Sequence, residues 1–199
     1  MVKNFKIKIF ADGADLISIR KLNSKKYISG FTTNPTLMKK SGIKDYKKFA
    51  LNVLKFVKTK PISFEVFADN LNLMKQQARE ISTWGKNVYV KIPVTNSKGV
   101  KTTSIIKTLS EEGINLNITA LFTKRQIKET VNSLDKNTKS IISIFSGRIA
   151  DAGVNHASDF LRGRKTDTIH PDGSKSSVCA RCAGNIIAKA GLPIPVDKY

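Results

Sequence analysis

The chain is poor in the features that mark several large protein classes. Cysteine occurs only twice, at Cys179 and Cys182, too few to staple an extracellular scaffold and consistent with a reducing compartment. No run approaches the roughly 20 apolar residues of a membrane span. The one early apolar stretch is interrupted by Lys3, Lys6 and Lys8, so neither a signal peptide nor a membrane partner is expected. Internal repeats, low-complexity tracts and interdomain linkers are lacking as well. The expectation is one cytoplasmic domain, with enough apolar content, 40% of 199 residues, to bury a sizeable core.

Acidic residues are scarce: 15 Asp and Glu stand against 35 Lys and Arg, a formal net charge of +20. Such an excess raises nucleic-acid binding, because neutralising phosphates supplies most non-specific affinity. Its distribution argues against a specific nucleic-acid partner. Residues 1–60 hold fifteen basic and three acidic residues, so most of the excess is N-terminal. There Lys44, Lys47, Lys48, Lys55 and Lys58 surround an apolar stripe of Tyr46, Phe49, Ala50, Val53 and Val57, the pattern of a solvated helix face.

From Ile7 onward, β-branched and aromatic runs alternate with helical patterns, the layout of βα units around a parallel sheet. Six strands are predicted: Lys6 to Ala11, Ile28 to Thr32, Ile62 to Ala68, Val88 to Pro93, Asn115 to Leu121 and Ser140 to Phe145. Asp69 or Asn70 can cap the helix after the third strand, and Thr123 the helix after the fifth. Strand side chains alternate between faces. Val88, Val90 and Ile92 therefore share one face with Lys91 on the other; Phe64 and Val66 oppose Glu65; Asn115, Asn117 and Thr119 oppose Leu116, Ile118 and Ala120. An open doubly wound sheet is apolar on both faces, so one polar face favours a closed TIM-type barrel whose polar positions point inward, toward the carboxyl ends of the strands.

A lysine directed into a barrel interior is costly as an ammonium, and as a neutral amine it is a nucleophile for a ketose carbonyl. Lys91 fits that description; it fits equally a strand end that reaches solvent. Asp12 and Glu65 are the acids available for proton transfer, although Asp12 could be a turn residue or helix cap and Glu65 the partner of a buried lysine. Asn34, Asn117, Thr119 and Ser143 suit a polyhydroxylated ligand. Arg148, beside Gly147, could hold a phosphate with its planar fork or pair with Asp151.

Five segments carry a more specific signal: Phe10-Ala11-Asp12, Gly30-Phe31-Thr32-Thr33-Asn34-Pro35-Thr36-Leu37, Val90-Lys91-Ile92-Pro93-Val94-Thr95, Asn115-Leu116-Asn117-Ile118-Thr119-Ala120-Leu121-Phe122 and Ser143-Ile144-Phe145-Ser146-Gly147-Arg148-Ile149. In order and spacing they resemble the motifs of the transaldolase family, particularly its short bacterial members and the related fructose-6-phosphate aldolases. The resemblance covers roughly residues 6 to 153 and implies a TIM-type (β/α)8 barrel acting on sugar phosphates without metal or cofactor. It implies that Lys91 forms a Schiff base, that Asp12 handles the hydroxyl proton during carbon-carbon cleavage, and that Glu65 and Thr119 flank a catalytic water. Thr33, Asn34, Asn117 and Ser143 would line the site of the three-carbon dihydroxyacetone unit, and Arg148 would bind the phosphate. The implied reaction transfers that unit from a ketose phosphate to an aldose phosphate, as in the non-oxidative pentose phosphate pathway. Glu65 favours transfer over simple cleavage, because the fructose-6-phosphate aldolases carry glutamine there. A homo-oligomer is compatible with the family.

Residues 1–153 are thus expected to form a partial catalytic barrel of six βα units, and 154–199 a divergent basic tail in place of the last two units. A truncated or frame-altered gene would explain such a tail, and the loss would impair activity. The tail contains one helix candidate, 176–190, and a Cys179-Ala180-Arg181-Cys182 motif. With only His156 and His170 nearby and no characteristic spacing, that motif is weak evidence for zinc, and no metal is expected. The competing readings are a catalytically silent barrel fragment whose basic surface binds nucleic acid or other polyanions, and a zinc module appended to a barrel remnant.

Overall fold

The computed structural model describes residues 7–151. Within them, six strands alternate with helices: β1 (Ile9–Asp12), α1 (Leu16–Asn23), β2 (Ile28–Thr32), α2 (Pro35–Lys40), α3 (Tyr46–Leu54), β3 (Ile62–Glu65), α4 (Leu71–Ser82), β4 (Val88–Pro93), α5 (Thr103–Glu111), β5 (Leu116–Leu121), α6 (Lys124–Ser133), β6 (Ser140–Ile144) and α7 (Ser146–Asp151). Every neighbouring pair is parallel and the spatial order follows the chain, β1 through β6. This is six-eighths of a TIM-like α/β barrel, with β1 and β6 as sheet edges among the described residues. The candidate helix 176–190, the two cysteines, both histidines and the 154–199 tail lie outside those residues.

The helices start where short polar side chains satisfy amide donors that have no partner within the helix. Asp15, Asn34, Asp45 and Asn70 cap α1, α2, α3 and α4 in this way, and Pro35 follows Asn34 in the first turn of α2. Of the two caps expected for α4, Asn70 serves; Asp69 instead accepts from Ser97 N and Ser97 Oγ at 2.6 and 2.7 Å, tying the loop after β3 to the loop after β4. Thr123 forms a full capping box with Gln126 on α6.

Each helix buries its apolar stripe on the outer face of the sheet. Val88, Val90 and Ile92 of β4 are 3%, 0% and 0% exposed there, and full burial of one such side chain contributes roughly 1.5–3 kcal/mol. On α3 the stripe Phe49, Ala50, Val53 is buried while Lys44, Lys47, Lys48, Lys55 and Lys58 are exposed. Ion pairs bridge successive helices at the surface, Lys47 to Glu80 at 3.0 Å and Arg79 to Glu112 at 2.6 Å. Exposed pairs of this kind add little to stability.

Four strand bounds need correction, the fifth strand beginning at Leu116 and not Asn115. The first strand begins at Ile9, and the third ends at Glu65, because the amides of Phe67 and Ala68 turn away to donate to Gln77 Oε1, both at 2.9 Å. The sixth ends at Ile144, where Ser146 opens α7. Strict alternation also fails in β5. Ile118 pairs with Ile142 and Leu121 with Ile144, so three steps on β5 match two on β6, a one-residue bulge. Ala120 sits at that bulge with φ 59°, in the left-handed region. The extra residue lets Thr119 point inward and Leu121, 0% exposed, still reach the helix-facing core.

A left-handed alanine is strained by contact between its Cβ and the backbone. Ala120→Gly should raise stability by about 0.5–1 kcal/mol in urea unfolding, whereas the β-branched Ala120→Val should lower it by at least ~1 kcal/mol. A destabilised glycine variant would show that the bulge is not strained.

Candidate active site

The inner face of the sheet is polar because alternate strand residues place it so, and the ladder register lines up its key members. Glu65 of β3 pairs with Lys91 of β4, which pairs with Asn117 of β5. Lys91 is 2% exposed, and its Nζ lies 3.7 Å from Glu65 Oε2. It is not a strand end reaching solvent.

Around this pair runs a buried chain of hydrogen bonds. Ser143 Oγ of β6 donates to Asn117 Oδ1 at 2.7 Å, and Asn117 Nδ2 donates to Ser63 Oγ of β3 at 2.9 Å. The second bond passes over the intervening strand β4, which is possible only because the sheet is concave on this side. All three side chains are 0% exposed. In this chain the Asn117 amide oxygen faces the Ser143 hydroxyl and its nitrogen faces Ser63. Ser63 is a member that the sequence analysis missed, although it shares the parity of Glu65 two residues on.

Asp12 ends the edge strand β1, exposed to solvent at the mouth of the concavity. Its Oδ1 accepts from Thr32 Oγ1 at 2.8 Å, which makes Thr32 a second residue that sequence reasoning passed over. Partial desolvation raises the Asp12 carboxyl above its ordinary value, opposed by the Thr32 hydrogen bond and by attraction to Lys91. Glu65 is also raised, chiefly by burial. Lys91 opposes that rise and the Asp12 charge adds to it. The two acids and the lysine therefore share one electrostatic environment.

Thr119 of β5 is 1% exposed, and its Oγ1 has no hydrogen-bond partner among the described residues. A buried hydroxyl without a partner costs roughly 1–3 kcal/mol and marks a place where a water or ligand hydroxyl fits. Thr33 is buried and donates to the Ser63 carbonyl at 3.1 Å. Asn34 is less available than the sequence suggested, because its Oδ1 accepts from Leu37 N at 2.9 Å as the cap of α2. Arg148 lies exposed on α7, just past the end of β6; the side chain of Asp151, its alternative partner, falls outside the description.

Cavities elsewhere do not hold this chemistry. One of about 620 Å³ sits at the opposite, amino-terminal end of the strands, lined by Phe10, Tyr89, Asn115, Lys86 and Lys139. Among the described residues, no group of three or more His, Cys, Asp or Glu is placed to hold a metal ion, and no helix is long and apolar enough to cross a membrane.

The profile of the Transaldolase/Fructose-6-phosphate aldolase family matches residues 9–177. The chain belongs to that family. The match continues 24 residues beyond position 153, where the resemblance read from motifs stops, so part of the tail aligns with the family as well. Relatives include a probable transaldolase from Dehalococcoides mccartyi, 38% identical over 74% of this chain, and one from Streptococcus agalactiae, 37% identical over 75%. The aligned region spans 64% and 65% of those relatives' lengths. In fold, the chain is similar to a dihydrodipicolinate synthase from Rhodopseudomonas palustris (TM-score 0.52, 16% identity, covering 97% of this chain and 70% of the other). It is also similar to a sialic acid aldolase from Ruminococcus gnavus (TM-score 0.51, 11% identity, covering 97% and 68%).

The raised proton affinity of Asp12 has a thermodynamic consequence. The folded state holds a proton that the unfolded state releases, so this group's contribution is full below the ordinary aspartate value of 3.8 and is lost as pH rises through the folded value. Asp12→Asn mimics the protonated acid and retains an acceptor for Thr32. It should be more stable than the parent at pH 7, with the gain vanishing below pH 3.8. Thermal unfolding of both proteins across pH 3 to 8 measures this, and a neutral-pH loss of stability in the asparagine variant would contradict it.

Proposed function

We propose that the chain is a transaldolase-type enzyme whose Lys91 amine bonds covalently to a ketose phosphate. The observation that carries this reading is a lysine 2% exposed, 3.7 Å from a partly buried glutamate and surrounded by hydroxyl and amide groups. Burial penalises the ammonium form and the Glu65 carboxylate favours it. Protonation of Glu65, which its environment promotes, removes that attraction and helps release the amine.

The neutral amine attacks the ketose carbonyl carbon. The carbonyl oxygen takes one proton from the amine nitrogen and a second from the Glu65 acid, leaves as water, and the nitrogen-carbon double bond forms as a protonated imine. Glu65 is placed to shuttle these protons through a water seated against the unpartnered Thr119 hydroxyl. Asp12, at the mouth, then accepts the proton of the hydroxyl on the far side of the breaking bond. That carbon-oxygen bond becomes a carbonyl, the carbon-carbon bond breaks, and its electron pair passes into the imine to give an enamine. The departing aldehyde leaves through the open mouth. An acceptor aldehyde takes its place, the enamine carbon attacks it, Asp12 returns the proton, and hydrolysis frees Lys91.

Asn117 and Ser143, fixed by their mutual hydrogen bond, suit the hydroxyls of a three-carbon dihydroxyacetone unit, with Thr33 and Asn34 at the end of β2. Arg148, exposed on α7 just past β6, would bind the distal phosphate with its planar fork. The glutamate at position 65 favours transfer to an aldose phosphate over release by simple cleavage. Sugar phosphates are thus the substrate class, and none of these steps calls on a metal or organic cofactor.

Borohydride reduction in the presence of fructose 6-phosphate should fix an adduct on Lys91, seen as a mass increase of the intact chain and mapped by peptide analysis. Lys91→Ala should give none. Equal labelling of the two proteins, or an adduct confined to surface lysines, would refute the covalent role.

A further inference from the structure

The ladder between β2 and β3 advances two residues at a time: Phe31 N donates to Pro61 O at 2.9 Å, and Thr33 N to Ser63 O at 3.1 Å. The next amide in this series would come from residue 35 and reach the carbonyl of Glu65. Residue 35 is proline, which has no N–H, and it already belongs to the first turn of α2. The carbonyl of Glu65 is thereby deprived of its strand partner at the point where the strand carries its acid. A buried carbonyl without a donor is costly and rare.

The donor comes instead from the outer helix layer. Tyr46, the first residue of α3, donates its hydroxyl to Glu65 O at 2.9 Å. Its ring is gripped edge-on by three aromatics, with centroid separations of 4.6 Å to Phe67, 5.3 Å to Trp84 and 6.0 Å to Phe64. Two of these, Phe64 and Phe67, flank Glu65 on β3 and the segment that follows it. Burial and the nearby Glu65 charge raise the phenol well above its usual range, so it remains a donor. The groups facing the Glu65 carboxylate are Lys91 from β4, Asp12 from β1 and, along its own backbone, the Tyr46 hydroxyl from α3.

We propose that Tyr46 is a positioning residue for Glu65, its hydroxyl standing in for the backbone amide that Pro35 cannot supply and so holding the carboxylate at its distance from Lys91. The proposal rests on the reading of Lys91 and Glu65 given above and deepens it: the reach of the proton shuttle is set by a side chain that belongs to the outer helix layer. Removing the hydroxyl leaves the aromatic grip in place but frees the end of β3, so water gains access to the carboxylate and its separation from Lys91 is no longer fixed.

Tyr46→Phe in the full chain tests this, because phenylalanine keeps the ring and loses only the donor. With carboxyl-13C glutamate and Glu65→Gln for assignment, the Glu65 titration should move downward, toward the ordinary value of 4.5, in the phenylalanine variant. The rate of borohydride-trapped adduct formation should fall about tenfold, with half-saturation by fructose 6-phosphate unchanged. An unaltered Glu65 titration in Tyr46→Phe would overturn the proposal and leave Tyr46 a packing residue, whatever happens to its unfolding midpoint. If the parent chain traps no adduct at all, the covalent reading of Lys91 fails, while the titration comparison still decides the role of Tyr46.

Discussion

The placement of Lys91 against Glu65 on neighbouring parallel strands constrains everything around it. A lysine this deeply buried requires a compensating charge and a polar lining, and strand register supplies both from the adjacent strands. Once the inner face is committed to polar groups, the apolar core must lie on the other side. That is why Val90, Ile92, Leu116 and Ile118 pack outward against helices instead of filling the concavity. The curvature of the sheet follows the same requirement. Only a concave arrangement lets Asn117 reach Ser63 past β4 and so satisfy an amide that has no access to water.

The same arrangement shifts the proton affinities of the acids around Lys91. One acid partly buried, one at the mouth and a buried amine act on one another's charges, and desolvation outweighs the attraction of Lys91 so that both acids are raised. Asp12 is the more solvent-accessible of the two acids, which separates its role from that of Glu65 further inside. Thr119, with an unpartnered hydroxyl beside the strained Ala120, shows the fold accepting local cost at this end of β5.

Much of this was legible before any coordinates. The six strands, their βα alternation and the inward parity of Glu65, Lys91 and Asn117 follow from residue types at a spacing of two, because one buried and one polar face impose that pattern directly. Thr123 and Asn70 were readable as caps for a similarly local reason. What was not legible depended on contacts between distant segments. Alternation predicted Ala120 on the helix side, but a bulge set by pairing with β6 moved it. Asn34 read as a ligand-facing amide, whereas its carbonyl oxygen closes the first turn of α2. Ser63 carried the right parity and was overlooked because serine in a strand is chemically unremarkable until an amide from β5 arrives beside it.

Sequence by itself determined the family and the parallel αβ order and singled out Lys91, Asp12 and Glu65 as candidates, since these reside in local pattern and in motifs of fixed spacing. Tertiary structure alone decided which of those groups meet and how: the 3.7 Å approach of Lys91 to Glu65, the Ser143–Asn117–Ser63 chain, and the use of Tyr46 where Pro35 interrupts the ladder. The reason is that burial and hydrogen-bond satisfaction belong to the enclosed space between strands, and that space exists only once residues far apart in the chain have curved around it.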